Sequence, residues 1–199
     1  MPSPTQPDPS RTGRLREATR DVHAALDAAL MERESFASRA GYAQFLAMQR
    51  GFHQTVAPLY ADPALQALLP GLATRARLAL VEQDMADLGL PLPAAAAPQP
   101  VSGEAAALGW LYVAEGSSLG AAVLRKLVSR IGLSDTFGAR HLAPAAAGPA
   151  AHWRDFTTAL DAVALDEAGE NQAIAGAQAA FSHVAALAEQ ARSQAPHGA

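Results

Sequence analysis

The stretch LREATRDVHAALDAAL, Leu15 to Leu30, decides how the chain is read. Leu15, Thr19, Val22, Leu26 and Leu30 recur at steps of four, three, four and four, the spacing of a helix with one buried stripe. His23 falls inside that stripe and is expected to point toward whatever the helix packs on. Arg20 and Arg16 lie three and seven positions before it and project from nearly the same side. At ~1.5 Å of rise per residue, Arg16 stands roughly 10 Å along the axis from His23. Asp27, four residues on, can accept a proton from the imidazole. An inward histidine with a carboxylate behind it and two cations along one edge suits a ligand site. A plainer helix fits the same residues: a core histidine bonded to a carbonyl, with the arginines paired to Glu17, Asp21 or Asp27 on a solvated flank.

Composition bounds the alternatives. The chain has 199 residues, 50% of them hydrophobic, and a net charge of −4, enough for one well-buried domain and too little for two comfortable ones. Aromatics are sparse and alanine abundant, which favours closely packed helices over sheets. The slightly acidic balance and the lack of a basic run give no reason to expect nucleic-acid or membrane binding. With no cysteine, disulfides, thiolate metal sites and cysteine nucleophiles are excluded. No signal peptide and no membrane-length apolar run is read, so a cytoplasmic protein is expected, and a monomer, since no exposed apolar stripe demands a partner.

Taken in order, residues 1–12 read as a proline-rich disordered tail, 13–192 as one helical domain and 193–199 as a loose C-terminal tail. Thr12 is the expected cap of the first helix and Ser38 of the second, whose inner face carries Tyr42, Phe45, Leu46, Gln49, Phe52 and Val56. His53, without a flanking carboxylate or cation row, reads as structural or exposed. Pro63 opens a short turn, and Pro70 a longer helix through Leu88, closed by Gly89 and Pro91. Residues 90–103 form a loop, Ser102 caps a long helix from Gly103 to about Ile131, and Gly132 stops it. A loop near Ala143 to Gly148 precedes a helix containing HWRDFTTALDAV, and a last helix runs from about Asp166 to Gln194. The outcome is an all-α single domain of six or seven helices.

A second stretch, GWLYVAEGSSLGAAVLRKL (residues 109–127), lies within the long helix. Gly116 and Gly120 share a face there, each costing about 1 kcal/mol of helix stability relative to alanine. Such a pair lets the helix bend and brings its backbone close to a neighbour. That neighbour is either a flat ligand or another helix, as in small-xxx-small packing. The run matches neither GxGxxG nor GxxxxGK[ST], so nucleotide binding is unsupported.

Together the two stretches resemble the heme oxygenase family. LREATRDVHAALD is similar to the family's proximal helix and LYVAEGSSLGAAVLRKL to its glycine-containing distal helix, and the likeness continues through WRDFTTALD to Ala180 and Phe181. The EGSSLGA form resembles bacterial members, including those associated with bacteriophytochromes. The resemblance implies a helical bundle with heme sandwiched between a proximal and a kinked distal helix. It makes His23 the axial ligand of the heme iron, with Asp27 as the carboxylate that orients it. Arg16, Arg20 and Arg154 match basic positions near the heme propionates, which guanidinium forks suit. Tyr112 falls at the propionate edge and Phe181 against the macrocycle, while Gly116, Ser117 and Gly120 form the distal floor over the oxygen-binding face. Ser117 stands where several members carry an aspartate that organises distal water, and Ala121 where glycine is common.

The activity so implied is oxidative cleavage of heme to biliverdin, carbon monoxide and ferrous iron, using O2 and an external electron donor such as a ferredoxin or a reductase. A bacteriophytochrome is a conceivable acceptor of the biliverdin. The heme supplies the chemistry and the protein positions it. The alternative on the same scaffold is a non-catalytic heme-binding, storage or transfer protein, from which only Gly116 and Gly120 separate an enzyme. A di-iron carboxylate bundle is disfavoured, because none of the six histidines has a glutamate three residues before it. A thiaminase-like enzyme would lack its cysteine nucleophile.

Overall fold

The periodicity around His23 produces a helix, α1, at Arg11–Glu32. It begins earlier than the sequence suggests because Ser10 caps it, its hydroxyl oxygen accepting from the Gly13 amide at 3.0 Å. Thr12 is committed elsewhere, its amide and hydroxyl both donating to the Asp161 carboxylate at 2.7 and 2.9 Å. The computed structural model describes residues 9–32, 35–92 and 100–193. The expected tail at 1–8, the loop centre at 93–99 and the end beyond 193 therefore lie outside the described residues. Arg11 and Thr12, read as tail from the sequence, belong to the first turn of α1.

The remaining elements follow local rules. Helix α2, Arg39–Ala61, starts at Ser38, whose Oγ accepts from the Gly41 amide at 3.1 Å. Helix α3, Pro63–Leu68, has proline in its first turn. The single helix expected from Pro70 to Leu88 is instead a 3₁₀ turn at Leu72–Arg75 followed by α4, Leu78–Asp87. The break separates two arginines with opposite destinations: Arg75 reaches Glu115 and His152, whereas Arg77 donates to the carbonyl oxygens of His141 and Ala143. Helix α5 spans Glu104–Ser129 without interruption and is preceded by Gly103, which offers no side-chain cap, so Ser102 does not fill that role. Gly132, at φ +80°, ends the segment as expected. Helix α6 is Pro149–Ala162 and α7 is Glu167–Ser193. Among the described residues there are only isolated bridges, at Ser134 with Phe137 and Gly138, and no strand.

The core is built around α7, which packs against α1, α2 and α5. Small residues let α5 and α7 approach until backbone meets backbone. A Cβ added to Gly109 would stand 2.0 Å from the Ala173 carbonyl oxygen, and one added to Gly176 would stand 2.2 Å from that of Ala106. These two glycines, neither singled out by the sequence, carry the close helix packing. On α2, Tyr42, Phe45, Leu46, Phe52 and Val56 are buried as the pattern required, and so is His53. By length and composition α5 is apolar enough to cross a membrane, yet Ala105 through Glu115 form an almost unbroken buried run inside the bundle.

A buried arginine ties the start of α1 to the far side. Arg11 donates to the carbonyl oxygens of Leu160 and Val163 at the end of α6 and to Glu170 Oε1 at 2.8 Å on α7. It thus satisfies backbone acceptors that the C-terminus of α6 leaves over. The helix that carries His23 is fixed at its base by these bonds.

Candidate active site

Helices α1 and α5 both rest on α7 but touch each other little, and Tyr112 of α5 meets Thr19 of α1. The buried Tyr112 side chain is hydrogen-bonded with Thr19 and lies in the field of Arg16. Burial pushes this phenol up from its usual range, against the opposing pull of Arg16 and Thr19, so it remains a neutral donor. His23 follows Thr19 by one helical turn and Gly116 follows Tyr112 by one turn, about 6 Å along each axis. Beyond the contact both helices turn exposed surfaces outward.

His23 does not point into the packed core as the stripe suggested. Its side chain is 60% exposed, with the ring packed on one side against Phe181 of α7, the centroids 5.3 Å apart. The stripe proper is carried by Leu15 and Thr19, which are buried, and by Val22, Leu26 and Leu30, which pack against the core. His23 sits at its edge, where imidazole nitrogen remains accessible. Nε2 lies 3.4 Å from Asp27 Oδ2, so the carboxylate is within reach of the ring as expected. Arg20 is exposed and paired with Glu17, and Arg16 is exposed near Tyr112. Arg154 is exposed on α6, next to Trp153. The structure therefore gathers Arg16, Thr19 and Tyr112 at one place and His23, Asp27 and Phe181 at another, a turn away along α1.

The glycine pair separates the two readings left open by sequence. A Cβ on Gly120 would have no neighbour within 4 Å, and one on Gly116 would only reach ordinary contact with the Trp153 ring at 3.6 Å. No helix backbone approaches either residue, in contrast to Gly109 and Gly176. Gly116 and Gly120 thus spend helix propensity without any packing return inside the protein. Ser117 is exposed, its Oγ donating to the Ala114 carbonyl at 2.7 Å. Leu119 and Val123 on the same half of α5, and Met31 on α1 two turns beyond His23, are large apolar side chains left 44%, 58% and 51% exposed. Large apolar side chains left exposed in this way are expected of a surface that covers an apolar ligand.

Several residues escaped the sequence reading. Trp153 lies beside Gly116 and stacks at a tilt on Tyr112, the centroids 5.6 Å apart. Glu115, the residue before Gly116, is buried and bonded to Tyr60 and Arg75, with His152 Nε2 3.5 Å away. A charge at the end of the apolar run 105–114 was the available signal, but its partners are distant in sequence. A second buried cluster is centred on Asp84, which accepts from the Arg140 and His141 amides and from His141 Nδ1 at 2.7 Å. Burial would raise this carboxyl, but the bonds from His141 and Arg140 outweigh it and hold it below the usual range. A shallow surface pocket beside Leu68, Pro70, Ala159 and Val163 has neither histidine nor arginine in its lining. Among the described residues no group of three metal-ligating side chains exists.

Comparison with known proteins converges on one family. The heme oxygenase family model matches residues 10–190. The chain is 42% identical over 181 residues to heme oxygenase PigA of Pseudomonas aeruginosa, covering 90% of this chain and 91% of that protein. It is 39% identical over 125 residues to a heme oxygenase of Xanthomonas campestris pv. campestris, covering 61% and 73%. The fold superposes on the NO- and CO-bound heme oxygenase of Neisseria meningitidis with a TM-score of 0.89, 36% identity and 96% coverage of both chains.

Proposed function

The chain belongs to the heme oxygenase family, and we propose that it holds heme between α1 and α5 and opens it to biliverdin, carbon monoxide and ferrous iron. Heme is the substrate and brings its own iron and four nitrogen ligands. That supplies what the described side chains lack, and it leaves the axial position for one imidazole. His23 is the candidate for that position, being exposed on the edge of α1 with Asp27 within reach to orient it. Arg16 and Arg20, joined by Arg154 from α6, offer guanidinium groups to the propionates. Tyr112 adds a neutral hydroxyl beside Arg16. Phe181, Leu119, Val123 and Met31 present apolar surface suited to the macrocycle.

The observation that carries catalysis rather than storage is the bare face at Gly116 and Gly120. Helix backbone with no Cβ toward a ligand allows close approach to the ring and leaves room for a small molecule on the side opposite His23. When bound, heme supplies O2 activation with electrons from an external donor. The protein's part is to fix the in-plane orientation through the arginines, to exclude bulk water, and to hold ordered water near Ser117. The donor on this reading is a ferredoxin or a reductase, the cell compartment is the cytoplasm, and the working unit is a monomer. A bacteriophytochrome is a candidate recipient of the product.

The test is an aerobic absorbance time course of purified protein with hemin, before and after a reductant is added. Decay of the Soret band with growth of a red-absorbing biliverdin band and release of carbon monoxide supports the enzyme. Stable heme under the same conditions, with no product at any donor, supports the storage or transfer reading.

A further inference from the structure

Helix α5 changes character at one residue. Ala105 through Glu115 are buried almost without exception, whereas most of 116–127 is exposed or half-exposed. Glu115, at 4% exposure, ends the continuous buried run, and its carboxylate is divided between two partners from elsewhere in the chain. Tyr60 of α2 donates its hydroxyl to Oε1 at 2.8 Å, and Arg75 of the 3₁₀ turn donates to Oε2 at 2.8 Å. The same Arg75 Nη1 donates to His152 Nε2 at 2.9 Å, while both terminal nitrogens reach the His152 carbonyl at 3.2 Å. The Arg75 guanidinium also lies 5.7 Å above the Phe156 ring of α6. His152 directly precedes Trp153, the residue beside Gly116 and Tyr112. Three elements, α2, the 3₁₀ turn and α6, thus converge on one carboxylate at the boundary between the clamped and open halves of α5.

Apolar side chains would fill this space without fixing a direction. A carboxylate with separate donors on its two oxygens sets both the rotation of the helix about its axis and its height. We propose that Glu115, gripped by Arg75 and Tyr60, is a positioning residue that sets how the face bearing Gly116 and Gly120 stands over the substrate. Through His152 the same grip sets where Trp153 closes the edge beside Gly116. This proposal rests on the heme reading for what occupies the site, but not for the mechanical role, which exists in the heme-free protein. Glu115 does not touch substrate and takes no part in bond making.

The test compares wild type, Glu115→Gln and the Glu115→Leu/Arg75→Met double variant, all as full chains. In the heme-free proteins, amide hydrogen exchange is followed separately in 105–115, 116–127 and α7. Glu115→Gln is expected to speed exchange in 116–127 about tenfold, the effect of one lost charge-assisted bond, with little change in α7. The double variant removes both charges together and is expected to recover thermal stability, yet to leave exchange in 116–127 fast. With heme added, both variants should shift the acid–alkaline transition of the ferric complex, which reports the side of the ring facing α5. Should Glu115→Gln fail to fold, the double variant alone decides. Unchanged exchange in 116–127, or an increase spread evenly over the molecule, overturns the proposal. A ferric spectrum identical to wild type in the double variant overturns it as well. Failure of wild type to bind heme would refute the heme reading and leave the exchange result to stand by itself.

Discussion

Replacing Gly116 and Gly120 by alanine should make the heme-free protein more stable and the enzyme worse. Both lie inside an uninterrupted helix, where glycine costs ~0.5–1 kcal/mol against alanine. At Gly120 a new Cβ meets nothing within 4 Å, and at Gly116 it rests at 3.6 Å from the Trp153 ring, an ordinary contact. Nothing offsets the gain in propensity, so the double variant should gain about 1–2 kcal/mol, a rise in Tm of roughly 2–8 °C for a chain of this size. Gly109→Ala and Gly176→Ala provide the opposite control, because their Cβ atoms would stand 2.0 and 2.2 Å from carbonyl oxygens. Either should cost more than about 3 kcal/mol or prevent folding, since α5 and α7 must separate. Thermal unfolding by circular dichroism reads the stability, and hemin turnover with a reductant reads the function. A lower Tm in the Gly116/Gly120 double variant would refute the claim that this face has no internal packing role. A raised Tm with unaltered turnover would refute the claim that the bare face serves the substrate.

Other consequences are equally direct. His23→Ala should leave the heme-free unfolding free energy within about 0.5 kcal/mol of wild type, because the side chain is 60% exposed, while abolishing the Soret band of the histidine-ligated ferric complex. Asp27→Asn should reduce heme affinity or turnover by roughly tenfold through loss of imidazole orientation, read by hemin titration and initial rate. Arg11→Met strips partners from Glu170 and from the Leu160 and Val163 carbonyls, and should lower urea stability by about 3 kcal/mol. Burial, with the His141 and Arg77 charges beside it, lowers His53 to about 3, and burial also lowers His141, His152 and His183. The unfolded chain therefore takes up protons below ~pH 6.5 that the folded chain refuses, so stability is full above that pH and falls as the pH drops toward 3. Denaturant melts from pH 7 to 4 should show this fall, on the order of 3 kcal/mol from His53 alone at pH 4, and His53→Leu should flatten it.

What sequence made legible, and what it did not, follows from the range of the interactions involved. Leu15 to Leu30, the Ser38 cap, Pro63 and the Gly132 stop depend on neighbours within a turn, and those elements lie where the pattern placed them. The break at Ala76 was illegible because it is made by the destinations of Arg75 and Arg77, which lie 40 and 64 residues further along the chain. The same holds for the glycines. Gly109 and Gly120 look alike in sequence, and only the arrival of α7 at one and of nothing at the other distinguishes packing from an open face. His23 was assigned to the correct helix and the wrong degree of burial, since periodicity fixes a face to within one residue and His23 sits on its margin. Glu115 was visible as a charge in an apolar run, but Tyr60, Arg75 and His152 could not be joined to it without the fold.

The central claim is that α1 and α5 clasp heme with His23 on one side and the glycine face on the other. A crystal structure of the ferric heme complex tests it most directly. The account predicts iron bonded to a His23 ring nitrogen, with the Gly116 and Gly120 backbone in van der Waals reach of the opposite face. Iron bonded to any other residue, or heme seated in the pocket beside Leu68 and Val163, would contradict it.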